Sequence, residues 1–199
     1  MLKIGITGGI GSGKSTISKV FEILGIPVFY ADDQAKKVMT DDPILVNNIK
    51  TTFGDEAYFT DGSLNRKYIA KLVFNDNIAL ARLNAIAHPA TFRAFDNWLA
   101  LVADAPYILK EAALLFESNS YKLCDKSIMV YAPLELRINR VMKRDNLSRL
   151  EIENRNAKQY DDAKKLKMAD YDIRNDNTVL VVPQVLDLHR EFLKLSSSR

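Results

Sequence analysis

The chain has 199 residues, 47% hydrophobic and 27% charged, with eight glycines, six prolines and a net charge of +3. That is ordinary globular usage for one domain, or one core with insertions, and it excludes a collagen-like, linker-rich or highly charged disordered chain. One cysteine, Cys124, makes no intrachain disulfide and no cysteine cluster, and His88 and His189 are too few for a histidine-rich metal site.

Leu2, Ile4 and Ile6 open the chain as a short apolar strand ending in glycines, without an export cleavage signature. With the lone cysteine, and no apolar run near the ~18 residues of a membrane span, this predicts a cytoplasmic protein. Ile17, Val20, Phe21 and Leu24 then recur on one face of a helix that Gly25 stops, and Val28-Phe29-Tyr30 is a second strand. The order strand, helix, strand predicts a right-handed βαβ unit with parallel strands. From Asp32 to Ala105 strand signals vanish. Helices are predicted over about 65–74, 77–87 and 89–102, with Pro89 in the first turn of the last. Strands return at Tyr107-Ile108-Leu109 and Ser127–Tyr131. A helix follows Pro133 with Leu134, Ile138 and Val141 inward and Arg137 unassigned. A strand near Tyr171-Asp172-Ile173 and a closing helix with Val185, Leu186, His189, Phe192 and Leu193 on one face complete the chain. Between Arg137 and Lys167 lie ten basic and five acidic side chains, an excess that suits a phosphate-rich ligand.

The chemistry is written most plainly between the first strand and the first helix. Gly8-Gly9-Ile10-Gly11-Ser12-Gly13-Lys14-Ser15 matches G-x-x-x-x-G-K-[ST], the P-loop, in the strand-to-helix setting that motif requires. Gly8, Gly9, Gly11 and Gly13 remove side chains so that backbone N–H groups, with Ser12 among them, can wrap an anion. The helix start aims its positive dipole end at the same place. Lys14 supplies charge for the outer phosphates of ATP, Ser15 a hydroxyl for Mg²⁺, and Thr16 a donor for an inner phosphate. Asp32 follows the second strand, so it emerges at the carboxyl edge where the loop also emerges. A carboxylate there can take a proton from an attacking hydroxyl. Asp33 reads as a helix cap. Arg140 and Arg144, four apart, suit a phosphate-gripping lid, with a solvated salt-bridge face as the plainer reading of Arg144 beside Asp145. No Asn-Lys-x-Asp guanine signature and no protein-kinase signature is present, and a small P-loop fold with a helical insertion and a late arginine-rich segment suggests a small-molecule kinase.

The residues also carry a family resemblance over essentially the whole chain. The segment from Gly5 to Thr16, Asp61-Gly62-x-Leu64-x-Arg66, Val73-Phe74, Leu83-Asn84-x-Ile86-x-His88-Pro89 and Leu114-Leu115-Phe116-Glu117 resemble dephospho-coenzyme A kinases. So do Arg140, Arg144-Asp145, Arg155-x-x-x-Gln159, Ala169-Asp170 and Ile173-x-Asn175. The sequence departs from the family where Tyr30-Ala31-Asp32 replaces Asp-Ala-Asp and where Ala113 replaces a proline. The resemblance implies transfer of the ATP γ-phosphoryl group to the ribose 3′-hydroxyl of dephospho-CoA, the last step of coenzyme A synthesis. It marks Asp32 as the catalytic carboxylate and gives Thr7, His88 and Glu117 places on the substrate side. The alternatives stay a helix cap for His88 and a turn-holding role for Glu117.

The expected architecture is an α/β P-loop NTPase fold, a parallel sheet flanked by helices, with a helical acceptor insertion and a lid. Its parts are a nucleotide-binding core (1–31, 105–136 and 168–199), the insertion (32–104) and the lid (137–167). Small-molecule substrates, no nucleic acid, no membrane and a monomer or weak homo-oligomer complete the expectation. Two rivals remain: a P-loop kinase for another acceptor, such as a nucleoside monophosphate, and an ATP-dependent RNA or protein binder using the basic 137–167 segment.

Overall fold

The computed structural model describes residues 1–74 and 76–198. In chain order the elements are β1 (Leu2–Gly8), α1 (Lys14–Ile23), β2 (Val28–Tyr30), α2 (Ala31–Asp41), α3 (Pro43–Phe53), α4 (Arg66–Val73), α5 (Asn77–Leu101), β3 (Tyr107–Glu111), β4 (Lys126–Tyr131), α6 (Leu134–Asp145), α7 (Arg149–Asn156), α8 (Asp162–Met168), β5 (Tyr171–Arg174) and α9 (Val181–Ser197). Two compact units divide the chain: Met1–Tyr30 together with everything from Val102 onward, and Ala31–Leu101.

The first unit is built on a five-stranded sheet in the order β2-β3-β1-β4-β5. Every neighbouring pair is parallel, with Ile6 opposite Glu111, Gly8 opposite Val130 and Tyr30 opposite Glu111. All carboxyl ends therefore share one edge. From β1 the chain leaves toward β2 and β3, then crosses to β4 and β5 on the other side. The carboxyl end of β1 is thus the topological switch point, where open α/β sheets bind ligands. Parallel strands covered on both faces read as continuous apolar runs, which is why β1 and β4 stood out in sequence, whereas β5 buries only Ile173. The βαβ prediction holds as a parallel unit, but β3 pairs between β1 and β2. One face of the sheet packs Ile4, Ile6, Ile128, Val130 and Ile173 against Ile17 and Phe21 of α1 and Val185 and Phe192 of α9, all with no exposed surface. Gly25 closes α1 as expected: its N–H reaches Glu22 O at 2.9 Å and that of Ile26 reaches Phe21 O at 3.0 Å.

Ile138 and Val141 of α6 are buried as predicted, and Ile152 of α7 joins them. Leu134 is not: it is exposed, and the inward position on that turn belongs to Arg137. A polar network outweighs apolar periodicity there, as the site below makes clear. The polar stretch that follows folds as α7, opened by a Ser148–Glu151 capping box, and α8, opened by Asp161.

The second unit has its own core, in which Val38, Leu45, Ile49, Ala57, Tyr58, Ile69 and Ala90 pack together. Pro43 opens α3 behind Asp42, whose carboxylate accepts from the Leu45 N–H at 2.9 Å and from Arg93 Nη2 at 2.6 Å. Tyr58 donates to Met39 O at 2.6 Å, and burial pushes its hydroxyl up to about 12. Two expectations fail here. Helices 77–87 and 89–102 are one helix, α5, with Pro89 in its interior rather than its first turn. Proline removes the N–H that the Ala85 carbonyl would accept, yet Ala90 and Phe95 beyond it are buried, and that packing carries the helix through. Asp33 is not a cap either. α2 starts at Ala31, directly after β2, so Asp33 lies within the first turn and pairs with Lys36 at 2.8 Å.

Candidate active site

The loop after β1 turns tightly enough for the Ser12 N–H to reach Gly9 O at 3.0 Å. Gly13 then caps α1 in a left-handed conformation, φ +94°, which costs a residue bearing a Cβ about 1–2 kcal/mol. No side chain caps this end. The amides of the first turn therefore keep their donors for an anion, and the helix dipole adds to the pull. Lys14 begins the helix, its Nζ donating to Gly8 O at 3.1 Å across the loop. Ser15 and Thr16 stand exposed on the same turn. Gly8 and Gly9 are buried, as is Ser12, whose Oγ has no hydrogen-bond partner.

Residues distant in sequence brace this loop. Asn175, just after β5, donates from Nδ2 to Ser12 O at 2.8 Å. Gln159, between α7 and α8, accepts from the Ile10 N–H at 3.1 Å. Arg137 donates from Nη1 to Ile10 O at 3.2 Å and from Nε to Ala132 O at 2.9 Å. The site expectation contained none of the three. Gln159 and Asn175 entered only as pattern residues and Arg137 was unassigned, because contacts across more than 120 residues leave no local signal.

The arginines predicted for phosphate differ in setting. Arg140 is half-buried. Its Nη2 donates to Asn177 Oδ1 at 2.8 Å, and its Nη1 is enclosed without a hydrogen-bond partner. An enclosed guanidinium N–H is costly unless an acceptor arrives. Arg144 is 67% exposed and forks onto Asp145 with both bonds at 2.7 Å; that hydrogen bond raises its pKa and lowers that of Asp145. Thr7 is completely buried, its Oγ1 donating to Ala113 O at 3.3 Å. Glu117 is 12% exposed, with Oε1 against fully buried Lys165 Nζ at 3.0 Å and the Tyr160 N–H at 2.7 Å. Its Oε2 is enclosed without a hydrogen-bond partner. Through Oε1, Glu117 holds the α7–α8 connection to the end of the sheet.

Asp32 and His88 belong to the second unit. Asp32 is exposed in the first turn of α2, two residues along the chain from the last residue of β2. His88 is exposed in the middle of α5, stacked on Phe92 with ring centroids 6.4 Å apart, so it caps no helix. Trp98 stacks on Phe95 with ring centroids 6.2 Å apart.

A parallel sheet carrying a glycine-rich loop and an uncapped helix start at its switch point has the architecture of a P-loop nucleotide-binding protein. Comparisons with known proteins narrow the class. The family model described as dephospho-CoA kinase matches residues 2–180. A Bacteroides fragilis dephospho-CoA kinase is 38% identical over 187 residues, covering 94% of this chain and 91% of its own. A crystal structure from Thermus thermophilus superposes with a TM-score of 0.85 at 33% identity, covering 96% of each chain. The dephospho-CoA kinase of Campylobacter jejuni superposes at 0.71 with 28% identity, over 96% of this chain and 97% of its own. The chain belongs to the dephospho-CoA kinase family.

Proposed function

We propose that this protein transfers the γ-phosphoryl group of ATP to the ribose 3′-hydroxyl of dephospho-CoA, giving coenzyme A and ADP. Family membership supports the reaction, and the uncapped start of α1 behind its glycine loop is the observation that carries the mechanism. The backbone amides of the loop hold the phosphates, Lys14 leaves Gly8 O to meet the outer ones, and Thr16 donates to an inner one. Arg140 brings its enclosed Nη1 to the charge that develops on the transferring group. Asp32 accepts the proton of the 3′-hydroxyl as its oxygen bonds to phosphorus and the bond to the β-phosphate oxygen breaks. His88 contacts the acceptor from the exposed face of α5. Arg144 serves ATP only after releasing Asp145, and Thr7 and Glu117 act mainly by shaping the loop junctions that their bonds already hold.

Mg²⁺ suits these residues. The ion keeps several waters and binds few protein oxygens beside phosphates. The exposed Ser15 hydroxyl would hold the ion, which would supply positive charge against the phosphates.

A panel of acceptors offered with ATP tests the assignment. Dephospho-CoA should be phosphorylated with a kcat/KM at least about 10²-fold above AMP, CMP or free pantetheine, since its remote groups supply binding that the truncated acceptors lack. Preference for a nucleoside monophosphate would overturn it. Among the described residues no helix is long and apolar enough to cross a membrane.

A further inference from the structure

We propose that Arg137 is a positioning residue that couples the phosphate loop to helices α7 and α8, so that nucleotide held by the loop is sensed across residues 149–168. The proposal rests on the reading of Gly8–Ser15 as the ATP site.

Arg137 is 3% exposed, and all three guanidinium nitrogens are engaged. Nε holds Ala132 O at the end of β4, and Nη1 holds Ile10 O in the loop. The same Nη1 reaches Asn156 Oδ1 of α7 at 2.9 Å, and Nη2 pairs with Asp162 Oδ2 of α8 at 2.8 Å. Gln159, between those helices, takes the N–H of the same Ile10. One loop residue is therefore gripped at its N–H and its C=O by groups that belong to, or are tied to, α7 and α8.

The loop is also moulded on Arg137. A Cβ at Gly9 would run into the guanidinium, and one at Gly11 would lie 2.5 Å from the Arg137 carbonyl oxygen. Two glycines of the motif are thus required here by the arginine as well as by any phosphate. Only a planar fork with five donors reaches four acceptors at once, and a lysine ammonium cannot. Burying the cation is sustained because Asp162 supplies the opposite charge and the carbonyls fill the remaining donors.

Phosphate binding orders the loop amides, Ile10 among them. The guanidinium is held from all sides, so it carries that constraint to Asn156 and Asp162. By reciprocity, the docked state of α7 and α8 tightens nucleotide at the loop.

Hydrogen exchange on the full chain, with and without a non-hydrolysable ATP analogue and Mg²⁺, tests this in the wild type, Asn156→Ala, Asp162→Ala and Asp162→Asn. Asn156→Ala cuts one arm without leaving a buried charge, and Asp162→Asn keeps an acceptor for Nη2. In the wild type the analogue should slow exchange in the loop, α7 and α8. In the two alanine variants the loop should stay protected while α7 and α8 lose about fivefold or more of their added protection. The KM for ATP should rise about as much, with the KM for dephospho-CoA unmoved. Asp162→Asn, which keeps an acceptor but loses the charge, should fall between Asp162→Ala and the wild type in both readouts. Equal protection of α7 and α8 in wild type and Asn156→Ala, or none in the wild type beside a protected loop, would overturn the coupling. A wild-type loop that gains no protection would instead overturn its reading as the ATP site, and the coupling with it.

Discussion

Arg140 and Arg144 sit one helical turn apart, yet their environments set them different tasks. Arg140 already holds Asn177 and keeps one N–H enclosed and unfilled, whereas Arg144 is committed to Asp145 in solvent. Arg140→Lys should lower kcat by about 10²-fold, the usual loss for a preorganised donor to developing charge. Arg144→Lys should cost several-fold less. Steady-state rates at saturating dephospho-CoA decide it, and the reverse ranking would exchange the two roles. Lys14→Met should lower kcat/KM for ATP by about 10²-fold or more in the same assay. At this scale the sequence disclosed what is local. The loop glycines, Lys14 and Ser15 are fixed by contiguous spacing. It could not disclose Arg137, Gln159 or Asn175, whose partners lie 127, 149 and 163 residues away. Nor could it show that Thr7 Oγ1 and Glu117 Oε1 are spent on internal bonds.

The elements that carry the site are held by packing rather than by propensity. α9 covers the sheet with Phe192, which has no exposed surface and meets Tyr107 edge-on at 5.5 Å and Tyr171 at 5.3 Å. Phe192→Ala should cost about 3–5 kcal/mol in denaturant unfolding, and a loss under 1 kcal/mol would show that the site collapses without strain. In α5 the exposed Pro89 withholds a donor from the Ala85 carbonyl. Pro89→Ala should stabilise the chain by about 2 kcal/mol, the interior-proline cost of ~3 less the entropy the ring removes from the unfolded state. A destabilised variant would mean that the proline shapes the packing around Ala90. The helix boundary missed at Pro89 has this physical origin. Proline is a local breaker by its chemistry, and only the burial of residues beyond it, invisible in a single sequence, overrides it. β1 and β4 were legible as largely apolar runs between turn residues, and β5 from Tyr171 and Ile173 alone, of which only Ile173 is buried.

Across the molecule, protonation links the fold to pH in two windows. His189 Nδ1 shares a hydrogen bond with the Tyr107 hydroxyl at 2.6 Å, and burial lowers the imidazole pKa from 6.5. The folded state thus binds fewer protons there than the unfolded chain. Its contribution is complete above about pH 6.5 and fades as pH falls through the lower folded value. Asp42 and Asp170 form the second window. Burial alone would push both carboxyls up, but Leu45 and Arg93 around the first, and Ser127 and Lys126 around the second, outweigh it and hold both below 3.8. Their contribution is present above that value and is lost at still more acid pH. His189→Gln should therefore flatten the melting temperature between pH 7 and 5 and leave the decline below pH 4 in place. An unchanged slope between pH 7 and 5 would remove His189 from the account. The most direct test of the whole mechanism is a rapid-quench single turnover of Asp32→Asn with labelled ATP and dephospho-CoA. ATP should bind as in the wild type while transfer to the 3′-hydroxyl slows by about 10²–10⁴-fold; transfer at the wild-type rate would contradict the account.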